Sequence, residues 1–282
     1  MPPSQPKLRL KDKRRRLMWI KVAAGTSVVV VSLALVFYVS HLSPITISEV
    51  TVSGTNLVSA DEVKQSVMAK LSGSYAYLIP HANTIFAPFS GIRDAVLSSF
   101  PPVATVSVSR NGWNALEISV TERESVALWC AGIPPGEISN DNNQASASAS
   151  DTKNGCYLMD GDGFVFAPSA EDPSYVHYFG ELSGNPIGKK YLDGGFASLQ
   201  KTLKGIGESV HRTPTEALVD NKNQDVSIAF AEGGVVRFVR ATDSVSTLQN
   251  IASVFASQNF KDHSDFEYVD FRFGDKVYVK FK

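Results

Sequence analysis

Residues 22–42 form an apolar run with no polar face, and they are the first strong pattern along the chain. Val28, Val29, Val30 and Val31, then Leu33, Ala34, Leu35, Val36 and Phe37, place apolar side chains all round a helix. A surface helix of a globular protein carries a one-sided stripe instead. At 1.5 Å rise per residue, roughly 21 residues span about 30 Å, the thickness of a bilayer's hydrocarbon core. The run therefore predicts a transmembrane helix over residues 22–42. A cleaved secretory signal is the rival, but its apolar part is usually about 7–15 residues long and ends at small residues. Here the exit reads Tyr38, Val39, Ser40, His41, Leu42, Ser43, Pro44, with no small-x-small site, so retention is the expectation.

Beyond the run the pattern becomes that of a folded exterior. Ile47, Val50 and Val52 begin a strand that stops at Ser53-Gly54, a turn signal. Ser59 stands three residues before Glu62, as in a capping box, ahead of a helix with Val63, Val67 and Leu71 at helical spacing. A second helix is expected over residues 91–99, where Ile92, Ala95, Val96 and Ser99 share a face, and Phe100-Pro101-Pro102 ends it. Two alternating runs follow. Val103, Thr105 and Ser107 oppose Ala104, Val106 and Val108; Leu116, Ile118 and Val120 alternate with polar neighbours; Asn111-Gly112 between the runs marks a hairpin. The order β, α, α, β, β allows one sheet face to be buried under two helices.

In the second exterior segment, residues 191–210 read as a helix striped by Phe196, Leu199, Leu203 and Ile206, although Gly194, Gly195, Gly205 and Gly207 weaken it. Residues 226–230 and 235–239 alternate around Glu232-Gly233-Gly234, a hairpin pattern. Residues 244–255 give a helix through Val245, Leu248, Ile251 and Phe255. The expected fold class is α+β: a single N-terminal transmembrane helix, a small βααββ domain, then a mixed β-sheet domain with flanking helices. The expected bounds are a basic cytoplasmic tail over 1–21, the span over 22–42, domains over 45–124 and 125–282, and a disordered insertion near 132–154.

Charge gives the orientation. The first 21 residues carry eight Lys and Arg against Asp12 alone, so the basic side is expected in the cytoplasm and the domains outside it, at the plasma membrane. Beside an apolar span, such a run ordinarily sets orientation and touches anionic headgroups. The remainder of the chain is acidic, which argues against nucleic acid as a partner. The two cysteines, Cys130 and Cys156, both fall outside, where a disulfide is permitted. With no C-x-x-C spacing and no adjacent His, a structural staple is the leading reading, though spacing alone leaves its formation open.

Ile47-Ser-Glu-Val-Thr-Val-Ser-Gly54, Phe100-Pro101 with the Val-rich run over 103–110, and Leu116-Glu-Ile-Ser-Val-Thr-Glu-Arg123 leading into Val126-Ala-Leu-Trp129 resemble a POTRA domain of the FtsQ/DivIB type. Cys156 to Asp160 with Gly161-Asp-Gly-Phe-Val-Phe166 is similar to that family's next hairpin, and Tyr268-Val-Asp-Phe-Arg-Phe273 with residues 274–280 to its closing strand and extension. The resemblance implies a bitopic bacterial cell-division scaffold, not an enzyme. It also implies partners of the FtsB/FtsL type (DivIC and FtsL in other bacteria), docked partly by strand addition at the last strand. The matching positions are Arg272, as a fork for a partner carboxylate, Phe273, as an aromatic anchor, and Val277 and Val279 along the strand. Other divisome proteins are expected at the POTRA-like domain. The stretch between Cys130 and Cys156 departs from the family's pattern.

Candidate chemistry is sparse. The histidines at 41, 81, 177, 211 and 263 form no H-x-x-x-H or H-E-x-x-H set, and no metal or cofactor is expected. Asp160-Gly161-Asp162-Gly163 begins like a calcium loop but has Phe164 and Glu171 at the wrong places, so a turn is expected. Gly205-Ile206-Gly207 lacks the Lys-Ser or Lys-Thr of a phosphate loop, and no serine sits in a Gly-x-Ser-x-Gly elbow. Two other functions are carried forward: a POTRA-bearing envelope transport or secretion component, and an anchored envelope enzyme.

Overall fold

The computed structural model describes residues 10–40, 43–75, 79–132, 155–192, 194–220, 224–240, 244–262, 265–274 and 276–282. The expected insertion near 132–154 lies almost wholly outside them, as do His41, Leu42 and His263. The chain divides into two compact units, one up to Glu122 and one from Arg123.

In the first unit, α1 (Leu10–Ser40) starts well before residue 22, because the Lys- and Arg-rich stretch ahead of the apolar run is itself composed of good helix formers. Within it, the stretch Lys13–Val39 contains a window long and apolar enough to cross a membrane, and no residue of that window is buried in the protein. Trp19 and Tyr38 are both exposed near its ends, about 29 Å apart along the axis, the spacing of the two aromatic belts of a bilayer.

A three-stranded sheet follows, built from β1 (Glu49–Ser53), then α2 (Ala60–Leu71), the two-residue pair β2 (Ser74–Tyr75) and β3 (Ile79–Pro80), α3 (Phe89–Ser99), β4 (Val103–Arg110) and β5 (Ala115–Glu122). Its order is β1-β5-β4, with β1 parallel to β5 and β4 antiparallel to it. Val63, Val67 and Leu71 of α2 and Ile92 and Val96 of α3 close over Val50, Leu116, Ile118 and Val120. Each such buried side chain contributes about 1.5–3 kcal/mol. The β4 pattern departs from simple alternation: Val103 and Val106 are both buried, because a bulge between Val103 and Thr105 shifts the strand's phase by one. Gly54, at φ 82°, has no room for a Cβ, which would lie 2.1 Å from the Val120 carbonyl oxygen.

Ser59 caps α2 by position alone, since its side chain makes no capping hydrogen bond. The turn before α2 is held from across the sheet. The Glu122 carboxylate accepts the backbone N–H groups of Asn56, Leu57 and Val58 at 2.8–2.9 Å. Partial burial raises the Glu122 pKa, and those three donors outweigh it and hold the group below its usual range. Its stabilisation is therefore complete above the unfolded value of about 4 and is lost as pH falls through the lower folded value. Glu122→Gln is expected to cost about 1–2 kcal/mol at pH 7 and to make acid unfolding of this unit begin from a lower plateau, as read by thermal melts between pH 3 and 7.

The second unit is a nine-stranded mixed sheet with helices on one face. Its elements are β6 (Ala127–Cys130), β7 (Cys156–Met159), β8 (Val165–Ser169), β9 (His177–Phe179), α4 (Phe196–Val210), β10 (Pro214–Asp220), β11 (Asp225–Phe230), β12 (Val235–Val239), α5 (Ser244–Phe255), α6 (Gln258–Asp262), β13 (Phe266–Phe273) and β14 (Lys276–Phe281). The spatial order is β14-β13-β12-β11-β10-β9-β6-β7-β8. The core gathers Leu199, Leu203 and Ile206 of α4 and Ile251 of α5 over Val226, Ile228, Val236, Phe238, Phe266 and Val269. α4 begins at Phe196 rather than 191, after Gly194 takes φ 70°. Tyr191 and Leu192 are buried all the same, and Tyr178, Tyr191 and Phe196 meet edge to face. Gly205 lets α4 and α5 approach, since a Cβ there would come within 2.9 Å of Leu248.

Candidate functional site

The C-terminal hairpin forms one margin of the large sheet. β14 pairs antiparallel with β13 through Val269↔Val279 and Asp270↔Tyr278, and among the described residues no strand pairs with its other side. The Lys282 N–H donates inward to the Asp265 carbonyl. Backbone groups alternate along an antiparallel strand, so the inward set falls on the even positions and the N–H groups of Val277 and Val279 point away from β13. Their side chains are half-buried against the domain's own core. Both valines thus face the core while their main chain borders solvent.

The opposite margin, β8, is built differently. Pro168 sits within it, opposite Tyr157 of β7. Proline cannot donate to a ladder and blunts an edge against added strands. No proline interrupts β14, and its exposed positions are Lys276, Tyr278 and Lys280.

Phe273 stands at the end of β13 and remains 56 % exposed, packed edge to face against Tyr278 at 5.0 Å, itself 49 % exposed. Two large aromatic rings displayed together beside an open edge have the character of an interface anchor. On the other face of the hairpin, Val277, Phe271, Gly274 and Val254 help line a groove of about 380 Å³ between α5 and the hairpin.

Arg272 has a different part from the one expected. Its fork is taken within the domain: Nε and Nη2 meet the Asp270 carboxylate at 2.9 and 2.7 Å, and Nη1 meets Asp225 at 2.8 Å. Within the domain it is a strut of the hairpin. Burial pushes the Asp270 pKa up, but the Arg272 hydrogen bonds and charge, with Arg237 beyond, hold it low overall. Arg272→Ala leaves that buried carboxylate without its counter-ion. The expected loss is about 2–3 kcal/mol at pH 7, reduced from the fully buried case because the pair is partly wet. The gap between wild type and variant should narrow on acidification toward about pH 3, where Asp270 becomes neutral in the variant and its burial no longer costs; melts across that range check it.

Sequence reasoning missed Tyr278, Asp225 and Asp270. The spacing Asp270-x-Arg272 carried a usable signal, since i and i+2 share a strand face; Asp225, 47 residues from Arg272, carried none. Cys130 and Cys156 are joined by a disulfide across the β6–β7 pair, and lie six and seven strand spacings from β14, about 30 Å away. They belong to the scaffold of the sheet, not to its C-terminal margin.

The remaining candidates settle into structural places. Asp160 accepts the N–H groups of Asp162 and Phe164 through Oδ1 and faces the Arg123 guanidinium at 2.6 Å, the geometry of a turn. His177 Nε2 lies 2.9 Å from the Asp172 carbonyl oxygen, His81 packs on Tyr75, and His211 ends α4 in the left-handed region. Among the described residues no three His, Cys, Asp or Glu side chains are grouped as a metal site.

Compared with known families, the first unit gives a match. Residues 45–123 correspond to the family described as POTRA domain, FtsQ-type. These residues are an FtsQ-type POTRA domain. The match covers residues 45–123 and follows the apolar helix in sequence, the order of an anchored POTRA domain. One N-terminal apolar helix fits a single-pass membrane protein. The sheet order β1-β5-β4 leaves β1 and β4 as the margins of the POTRA sheet. No curated protein matches the chain.

Proposed function

We propose that this protein is a bitopic scaffold of bacterial cell division, at the plasma membrane with its N-terminus in the cytoplasm, that recruits small coiled-coil partners of the FtsB/FtsL (DivIC/FtsL) type outside the cell membrane. Docking takes place at β14. A partner segment lies along its open side, and the outward N–H and C=O groups of Val277 and Val279 provide ladder hydrogen bonds. Phe273 and Tyr278 supply the anchor on one face of the added strand, and the groove beside Val277 receives a side chain on the other.

The observation that carries this reading is the contrast between the two margins of one sheet: β8 bears Pro168, whereas β14 is proline-free and flanked by exposed aromatic rings. The eight basic residues ahead of the apolar run support the orientation. Confinement to the membrane raises the effective concentration of partners anchored in the same surface, so modest contacts suffice. The POTRA sheet margins β1 and β4 are a second place for divisome proteins to dock. The test is capture of the FtsB/FtsL-type pair by the full chain in detergent, set against Val277→Pro and Phe273→Ala; equal capture by all three folded proteins would refute docking at β14.

A further inference from the structure

One end of the POTRA domain carries an apolar patch, beside the point where the chain arrives from the apolar helix. Trp113, Ile85 and Phe86 are 67, 54 and 46 % exposed. Trp113 lies in the β4–β5 turn, and the other two lie in the loop ahead of α3. They are not loose side chains. The loop is nailed down by Asn83 and Thr84, both almost fully buried. The Asn83 Oδ1 accepts the Ile85 N–H at 3.0 Å, its carbonyl accepts the Phe86 N–H at 3.1 Å, and the Thr84 hydroxyl lies against the carbonyl oxygens of Ile45 and Trp113. Two buried polar residues thus hold two large apolar residues out into the surroundings, beside an exposed tryptophan.

This patch is tied to the point where the chain leaves the apolar helix. The Thr84 N–H donates to the Ile45 carbonyl at 2.9 Å, Ile47 N–H to Ala82 at 2.7 Å, and Ser48 N–H to Asn114, next to Trp113, at 2.9 Å. Ile45 follows the last helical residue, Ser40, by five positions, a reach of at most about 18 Å. The helix itself comes within 8 Å of β3, Cα to Cα. A polar–apolar boundary layer of several Å lies outside the hydrocarbon core of a bilayer, and it is where tryptophan is enriched, ring in the boundary and indole N–H wet.

Resting on the reading of α1 as a membrane span, we infer that Trp113, Ile85 and Phe86 seat the POTRA domain on the lipid headgroup boundary of the membrane in which its own helix is anchored. Arg110, exposed at the same end with its guanidinium 4.9 Å above the Phe89 ring and 3.4 Å from the Ile85 carbonyl, is placed to meet lipid phosphate. Glu49 stands at this end too, so attraction is carried by the apolar side chains and not by net charge. The seat would fix the height and tilt of the domain above the membrane, and with them the height at which its partners are met.

The experiment uses the full chain in nanodiscs whose lipids carry a bromine quencher either near the headgroup or deep in the acyl chain. The chain has three tryptophans, Trp19, Trp113 and Trp129, and subtracting the emission of Trp113→Phe or Trp19→Phe from wild type isolates each contribution. The expected result is that Trp113 emission is quenched by the shallow label more than by the deep one, and that the pair Ile85→Ser with Phe86→Ser shifts it to the red and removes the quenching. Quenching of Trp19 with none of Trp113 would overturn the seat while leaving the anchor standing. Absence of quenching at both would overturn seat and anchor together. A Trp113 signal that changes only on adding partner protein would assign the patch to protein contact and overturn the lipid assignment.

Discussion

Val277→Pro is expected to reduce capture of the FtsB/FtsL-type pair by about thirty-fold or more, with the domain still folded. The substitution removes one outward donor, and the ring also obstructs close approach of an added strand. A lost hydrogen bond with its partner left unsatisfied costs about 2 kcal/mol, which is about thirty-fold in Kd. The fold should survive because the Val277 N–H points away from β13, and proline is tolerated on the open side of an edge strand. Tyr278→Pro supplies the contrast: its N–H belongs to the inward set, so that variant should unfold the hairpin. A neighbouring Val277→Thr keeps the donor and the branched shape and should bind nearly as wild type. Titration of the labelled partner pair by anisotropy, beside circular dichroism of each variant, separates loss of docking from loss of structure.

The second large effect is expected at the opposite part of the sheet. Replacing Cys130 and Cys156 by serine together should destabilise the second unit by about 3–4 kcal/mol, on the chain-entropy estimate for a closed loop of this length. The sequence separation of 26 residues sets that value. For a unit of this size the shift in Tm is about 2–4 °C per kcal/mol, hence roughly 10 °C. Cys130 and Cys156 pack in a small cluster with Leu128 and Phe179 on β6 and β9, so loosening β6–β7 reaches β9 as well. Melting wild type with and without reductant, beside the double variant, checks the value. The reduced wild type and the double variant should coincide, while the POTRA domain, which contains no cysteine, should melt unchanged.

Much of this was written in local patterns. Val63, Val67 and Leu71 at helical spacing, Leu116, Ile118 and Val120 at strand spacing, and the Asn111-Gly112 and Gly233-Gly234 turns each report a short-range constraint, and the elements formed where they stood. The misses came from tertiary partners. Ser59 has the form of a capping box, yet the donors before α2 are satisfied by Glu122, more than sixty residues away, which no local spacing announces. The bulge at Val103 reverses which residues of β4 face inward, because pairing with β5, and not the strand's own alternation, sets its phase. The run over 191–210 reads as one helix, but Gly194 turns the chain and the Tyr191 ring enters the core from the loop. At the C-terminal margin the terminal strand was legible as an edge, while strand alternation alone left open whether the Phe273 ring faced outward or into the core. The fate of Arg272 was not legible, since half of its partners come from Asp225 across the sheet.

The account's central claim is most directly tested by amide hydrogen exchange, residue by residue, on the full chain with and without saturating FtsB/FtsL-type partner. The outward N–H groups of Val277 and Val279 should exchange freely alone and become strongly protected in the complex, while the inward N–H of Tyr278 is protected in both. Protection confined to the POTRA domain, or unchanged exchange at Val277 and Val279 in a saturated complex, would contradict strand addition at β14.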